Sequence, residues 1–424
     1  MRRAIVLFLD GLRRDMLNDR WTPNLARHAS AAECFAEHRS VFPSATRVVS
    51  SSVSTGCFPA KHEMQGNSLI LIEDGKLVSH DAGHPDFLQH KRRVTGRSLA
   101  VPTMAERLAK HGGARIYANV SPGAAYAHDP DGHGHVYHRA GSFGPGRKPV
   151  AGWNAAEIKF GISGDEALTD RFIADAVLGG KPALALLWCA EPDYTQHATP
   201  LGSPEHLAVL AAADRNAGRV LAAVAEARRQ GDDILLLVGS DHGHQTVSGV
   251  VDIDAALVEA GLKDHAGSGD VLSVSNGTSA LVYVHPAHAD RCKAIGAFLE
   301  KQAWAGRVIA AADLASVGQS SRNGLAFAVS MAATEASNAF GIPGMSIAAR
   351  PAGAKPDRNG CGQHGGLATF EQSPFLLADG AGFTAGRSRT APSSAVDIAP
   401  TVLRHLGVAH DGMDGAPLQA LAAP

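Results

Sequence analysis

Short apolar runs of strand length, separated by stretches of helical periodicity, constrain this chain more than any other feature. The runs at 4–9, 115–119, 183–189 and 234–238 lack the strict alternation of a half-solvated strand. Such runs read as strands buried on both faces, the condition of a parallel sheet covered by helices. Helical periodicity falls at 101–110, 166–178, 204–229 and 394–406. It is longest in the third, where Leu207, Leu210, Ala213, Ala217, Leu221 and Val224 recur on one face. The expected fold is therefore α/β, a doubly wound and mostly parallel sheet sandwiched by helices.

Two local features add to this frame. Residues 69–73 and 76–79 flank Asp74-Gly75, a pair that supplies the positive φ of a tight hairpin turn. Further on, a strand at 279–285, a helix at 287–302 and a strand at 325–330 mark a smaller α+β unit. The chain is thus expected to divide into a core (1–251 and 350–424) and a cap insertion (252–349). A polar loop rich in Gly, 353–362, leads into His364.

Composition excludes several classes of protein. With 424 residues, 45% hydrophobic and 19% charged, the chain can bury a large core. A net charge of −2 gives no basic face for a nucleic-acid polymer. The short cluster Lys91-Arg92-Arg93 reads as a solvated loop. No apolar run approaches the roughly 18–20 residues of a membrane span, so no membrane partner is expected. The first apolar run is too short for a secretion signal and stops at Asp10. Cys34, Cys57, Cys189, Cys292 and Cys361 are scattered and odd in number, as expected in a reducing compartment. A cytoplasmic protein is the expectation; oligomerisation is left open.

Chemistry-bearing residues gather where strands are expected to end. Asp10-Gly11 follows the first run, Asp193 and His197 follow the third, and Asp241-His242 follow the fourth. His364 sits between Gly362 and Gly365, and Thr46 closes Phe42-Pro43-Ser44-Ala45-Thr46. Strand carboxyl ends of an open α/β sheet line one crevice, so these residues are expected to meet. Singly they have ordinary explanations: Asp10 as a helix cap, Thr46 as an N-cap. Together, mixed Asp/His donors without Cys favour two divalent ions, most naturally Zn²⁺, with Mn²⁺, Co²⁺ or Fe²⁺ as alternatives. A threonine hydroxyl attacks only when activated, and cations with a helix amino end supply that activation. His244 reads as an outer partner or a helix cap.

At this point the chain resembles a known family. It is similar to the metal-dependent phosphodiesterase branch of the alkaline phosphatase superfamily, comprising the nucleotide pyrophosphatase/phosphodiesterases and phosphonoacetate hydrolase. The most specific match runs from Phe42-Pro43-Ser44-Ala45-Thr46 through Ser54-Thr55-Gly56, His62 and Asn67. Thr55 follows Thr46 by nine residues and Asn67 follows it by twenty-one, the family's spacing from nucleophile to Thr-Gly step and phosphate-binding Asn. The resemblance implies an alkaline phosphatase-like fold. It implies one metal on Asp193, His197 and His364, and a second on Asp10, Thr46, Asp241 and His242. Thr46 would be the nucleophile of a phosphothreonine route, and Asn67 would donate to a phosphoryl oxygen.

Two features depart from the pattern. Cys57-Phe58-Pro59-Ala60-Lys61 imitates a sulfatase modification signature, but Lys61 stands where an Arg is required and Thr46 already fills the nucleophile's place. Arg47 follows the nucleophile, where nucleotide-cleaving relatives tend to have an aromatic. An Arg there favours a substrate with extra negative charge, or else pairs with a nearby carboxylate. The expected substrate is a small phosphoester or pyrophosphate. The alternatives are a phosphonate of the phosphonoacetate type, with Arg47, Lys91 or Arg92 holding its carboxylate, and a non-catalytic phosphoester-binding protein. Aromatics for a nucleobase clamp are sparse: Tyr126, Tyr137, Trp153 and Tyr194. The His-rich loop from His128 to His138 reads as solvated, with contact to substrate or to an adventitious ion as alternatives.

Overall fold

The computed structural model describes residues 1–150, 158–353 and 356–419; Trp153 lies outside them. A sheet of ten strands forms the centre. Its middle is parallel, in the order Asp233–Gly239, Arg2–Leu9, Leu184–Cys189, Ala114–Ala118 and His135–Tyr137. Antiparallel strands flank it: Leu376–Asp379 beside Asp233–Gly239, and Phe143–Gly144 beyond His135–Tyr137.

Alternate side chains of the first strand enter two separate cores, which is why its sequence is apolar throughout. Ala4, Val6 and Phe8 pack with Val48, Val49, Val53, Ile398 and Val402, beneath the helices Thr46–Thr55 and Ile398–Leu406. Ile5, Leu7 and Leu9 pack with Leu168, Phe172, Leu210, Ala217 and Val224, under Ile162–Phe172 and Pro204–Arg229. The doubly wound sandwich expected from the sequence is present. The helix expected over 166–178 begins at Ile162 and ends its α-helical part at Phe172, continuing as a wider π-type segment Ile173–Gly179.

A second, wholly antiparallel sheet lies in the later part of the chain, in the order Val271–Ser275, Ser279–Val284, Leu325–Met331, Ala305–Ala310. One face covers Leu257, Ile295 and Leu299; the other meets Phe42 and Ile70. A third sheet, unforeseen in the sequence, pairs Gln245–Val251 in parallel with Pro343–Ala349. It ties the segment just after Asp241-His242 to the end of the 252–349 stretch. Sequence patterning missed it because most side chains of Val247–Val251 and the Gly-, Ser- and Ala-containing 343–349 strand give little apolar period.

Two further expectations are corrected. Lys91 is buried on the helix Phe87–Thr95 with Nζ 3.6 Å from Glu63, and Arg92 pairs with Asp131 at 2.6 Å. The Lys91–Arg93 cluster is therefore helical rather than loop, and two of its cations are already engaged by carboxylates. The His-rich loop is folded in, not solvated: Asp129 accepts N–H groups of Gly132, His133 and Gly134, while His128 packs on Trp188 and His138 is buried. His138 Nε2 donates to the Val120 carbonyl at 2.9 Å and its Nδ1 accepts the Ala140 N–H, whereas His128 Nε2 and His133 Nδ1 are buried without a hydrogen-bond partner.

Candidate active site

Strand ends deliver most of the polar groups. Asp10 and Gly11 leave the first strand, Asp193 starts the short helix Asp193–Gln196, and Asp241-His242 leave Asp233–Gly239. Adjacent parallel strands bring them together: the Asp193 N–H donates to Asp10 O at 3.0 Å, and the Gly11 N–H donates to Asp241 Oδ1 at 3.0 Å. Gly11 has φ +71°, and a Cβ there would crowd His244 Nε2 at 2.8 Å, so glycine is required by both backbone and space.

Asp193, His197, His244 and His364 form one set of possible ligands. Their Nε2 atoms converge on Asp193 Oδ1: His197 at 3.3 Å, His364 at 3.5 Å, His244 at 2.7 Å. His197 and His364 are themselves 3.3 Å apart. Ligands about 2.0–2.1 Å from a tetrahedral ion lie roughly 3.3 Å from one another. Asp193, His197 and His364 match that edge, whereas the His244 distance is that of a hydrogen bond. His197 Nδ1–H donates to the Gly362 carbonyl and His364 Nδ1–H to the Ser44 carbonyl, at 3.1 and 2.7 Å. Each bond leaves the Nε2 lone pair facing inward. Burial holds all three histidines well below the ordinary imidazole pKa, so they are neutral donors.

Asp10, Asp241 and His242, all buried, form a second set. His242 Nε2 lies 3.0 Å from Asp241 Oδ2, 3.6 Å from Asp10 Oδ1 and 3.2 Å from Thr46 Oγ1. Asp10 Oδ1 and Asp241 Oδ2 have no hydrogen-bond partner. Trp188 Nε1–H satisfies the other Asp10 oxygen at 2.9 Å. Burial, then the charges of Asp241 and Asp193, push the Asp10 carboxyl well up. Burial works against the charged form of His242, but the charge of the adjacent Asp241, and then that of Asp193, raises its pKa. Two orphaned oxygens of buried carboxylates facing one imidazole and one hydroxyl are a donor set that a divalent cation fits. The rings of His242 and His364 stack at 3.6 Å and 14°, so the two sets share a wall.

Thr46 is the first residue of the helix Thr46–Thr55, whose cap Ala45 offers no side-chain acceptor. The Val48 and Val49 N–H groups both turn to the Ala45 carbonyl, and the Thr46 N–H is the donor left for an anion. Asn67 Oδ1 accepts the Arg47 N–H at 3.0 Å, which turns the Asn67 amide N–H₂ away from that bond and makes it available as a donor. Arg47 Nε–H donates to Ser121 Oγ at 3.0 Å, and Nη2 is 3.8 Å from Asp81. Arg47 thus meets a carboxylate only at long range, and its charge reaches Asp193 and Asp10.

All eight residues marked by the sequence (Asp10, Thr46, Asn67, Asp193, His197, Asp241, His242 and His364) lie in this one crevice, with Arg47 at its rim. His244 is the outer partner that the sequence reading offered, hydrogen-bonded to Asp193; sequence reasoning missed Arg358, a half-buried cation from the loop before His364 whose charge acts on Asp193, His197 and His244. His242 and His244 precede the strand Gln245–Val251 with their rings 5.6 Å apart, and their i, i+2 spacing was the available signal. Of the aromatics, Tyr126 is buried and Tyr137 stacks on Tyr117 at 4.4 Å. Tyr194 is 51% exposed beside Asp193 and stacks on Phe160 at 5.1 Å, with Arg139 on the far side of Phe160.

A parallel-centred sandwich with Asp and His after its strand ends and Thr46 at a helix start is an alkaline phosphatase-like fold. Residues 4–306 match the family model for type I phosphodiesterase / nucleotide pyrophosphatase, and the chain belongs to that family. The fold is similar to that of murine ectonucleotide pyrophosphatase/phosphodiesterase 5, with TM-score 0.69 and 18% identity over 98% of each chain. An inactive threonine-to-alanine variant of that murine protein in complex with AMP superposes equally, again with TM-score 0.69 and 18% identity over 98% of each chain. The human protein gives TM-score 0.67 and 17% identity over 98% of this chain and 97% of that one. A search of curated protein sequences returns no match.

Proposed function

We propose that this hydrolase cleaves a phosphodiester or pyrophosphate bond of a small molecule with Thr46 as nucleophile. The observation that carries the reading is the Thr46 hydroxyl at a helix amino end, 3.2 Å from His242, beside two orphaned carboxylate oxygens. Asp193, His197 and His364 would hold one divalent ion, most naturally zinc, and Asp10, Asp241, His242 and Thr46 the other. When bound, these ions supply charge neutralisation and activation of oxygen nucleophiles. Thr46 Oγ1 attacks phosphorus in line and releases its proton to solvent; the bond from phosphorus to the leaving oxygen breaks, that oxygen takes up a proton from solvent, and phosphothreonine is left. Water then cleaves that ester and restores the hydroxyl, so configuration at phosphorus is retained. Asn67 Nδ2 and the Thr46 backbone N–H receive the non-bridging oxygens.

The segment 252–349 serves in this reading as a cap: the Thr278 N–H donates to the His364 carbonyl at 3.0 Å and steadies that ligand's turn. The exposed face of Tyr194 supports a nucleotide substrate, since a base can stack there. The described cysteines are free, which fits the proposed cytoplasmic location. Arg47 and Arg358 support a second reading, hydrolysis of a carbon–phosphorus bond in a carboxylated phosphonate. Comparing turnover of bis(p-nitrophenyl) phosphate, p-nitrophenyl phosphate and phosphonoacetate separates the readings. The diester is expected to be fastest; phosphonoacetate as the sole substrate would overturn the first reading in favour of the second.

A further inference from the structure

We propose a third divalent-cation site, outside the crevice, built from Glu73, His80 and His90. Glu73 ends the strand Ser68–Glu73, His80 lies on its partner Lys76–Asp81, and His90 is on the helix Phe87–Thr95. Both imidazole Nε2 atoms converge on the same oxygen, Glu73 Oε1, His80 at 2.6 Å and His90 at 2.9 Å. The three potential ligand atoms lie within 4.8 Å of one another. The rings are 4.8 Å apart, and Phe87 packs against His80 at 5.8 Å, limiting its rotation.

The donor set is two imidazoles and one carboxylate, which suits Zn²⁺ and similar borderline ions, with water completing the sphere. Side-chain exposures of 23% for Glu73, 19% for His80 and 32% for His90 let an ion and its water enter from solvent. The two contacts to Glu73 have hydrogen-bond lengths, shorter than the edge of roughly 3.3 Å that a tetrahedral ion imposes. Binding therefore spreads the donors by about half an ångström, within the rotamer freedom of three half-exposed side chains. In the bound form each ring carries its proton on Nδ1 and presents the Nε2 lone pair to the ion.

The position gives such an ion work to do. Asp81, next to His80, faces Arg47 Nη2 at 3.8 Å, and Gly83 packs directly against the Arg47 guanidinium. An ion on Glu73, His80 and His90 clips the hairpin to the helix after it, and so fixes the wall behind Arg47. None of the three residues belongs to the catalytic crevice.

The test compares the full-length wild-type protein with a His80→Asn/His90→Gln variant, both stripped of metal and titrated with Zn²⁺. Bound zinc is counted by elemental analysis after removal of free ion, with a chromophoric chelator as competitor. The variant is expected to hold one equivalent fewer than wild type. Because the result is a difference, it stands whatever the crevice itself binds. Equal stoichiometry in two proteins with the same circular dichroism overturns the site. Should the double variant fold poorly, His90→Gln alone is expected to weaken one equivalent by at least ~10-fold in the chelator competition; unchanged competition likewise overturns it.

Discussion

At the residue scale, Thr46 makes the sharpest claim. Thr46→Ala removes the oxygen proposed to attack and should lower kcat by at least ~10³-fold, with the substrate still bound. Steady-state kinetics on bis(p-nitrophenyl) phosphate checks it, and near-native turnover rejects the assignment. Losing the Asn67 donor, as in Asn67→Ala, should cost about 10²–10³ in kcat with a smaller effect on KM. His244 acts through Asp193, whose oxygen it meets at 2.7 Å. His244→Ala should weaken metal binding by about 10–100-fold in a chelator competition, and His244→Gln should recover part of the loss. Of the residues named from sequence, Asp10, Asp241, His242 and His364 were legible because they sit at a strand end or beside a glycine, Asp193 and His197 because they follow a buried strand four residues apart, and Thr46 and Asn67 through the spacing of their motif. Arg358 was not legible: a loop has no period, and which side chain turns inward depends on contacts made far away in sequence.

At the element scale, the turn carrying His364 depends on close backbone approach. Gly365 has φ +128°, and a Cβ there would collide with the Asn276 carbonyl oxygen. Gly365→Ala should destabilise the protein by more than about 1 kcal/mol and reduce metal retention together; thermal unfolding and elemental analysis check both. The same turn is anchored by Glu371, whose carboxylate accepts Thr278 Oγ1–H and the Gly366 N–H. Burial pushes the Glu371 pKa up to about 7, against these hydrogen bonds. A folded-state pKa above the unfolded value means that the folded chain binds the extra proton. Its contribution is complete below the ordinary glutamate pKa and is lost as pH rises to about 7. Glu371→Gln should flatten stability across that window, removing a slope of up to ~1.4 kcal/mol per pH unit; denaturant titrations at several pH values measure it.

Elements also show where sequence patterning stops. The four buried strands were legible because burial on both faces forces continuous apolar residues. Gln245–Val251 and Pro343–Ala349 were not, since a sheet that is half solvated and rich in small residues leaves a weak signature. The His128–His138 loop looked polar and solvated, yet Asp129 and the backbone satisfy it from within, a property of three-dimensional closure that composition does not carry.

On the scale of the whole molecule, the crevice joins segments from residue 10 to residue 364, so metal binding and folding are linked. Ions that bind only the folded chain stabilise it by about 2.7 kcal/mol each at a hundredfold excess over Kd. Chelation should therefore lower Tm, and Zn²⁺ should restore it. A Tm indifferent to chelator would leave the orphaned Asp10 and Asp241 oxygens without the partner assigned to them. Among the described residues no helix is long and apolar enough to cross a membrane.

The most direct test is peptide mass spectrometry of enzyme quenched in acid during turnover of a diester. The account predicts one phosphoryl group on the peptide holding Thr46, absent from Thr46→Ala. Sustained turnover with no adduct at Thr46, together with an active Thr46→Ala variant, would contradict it.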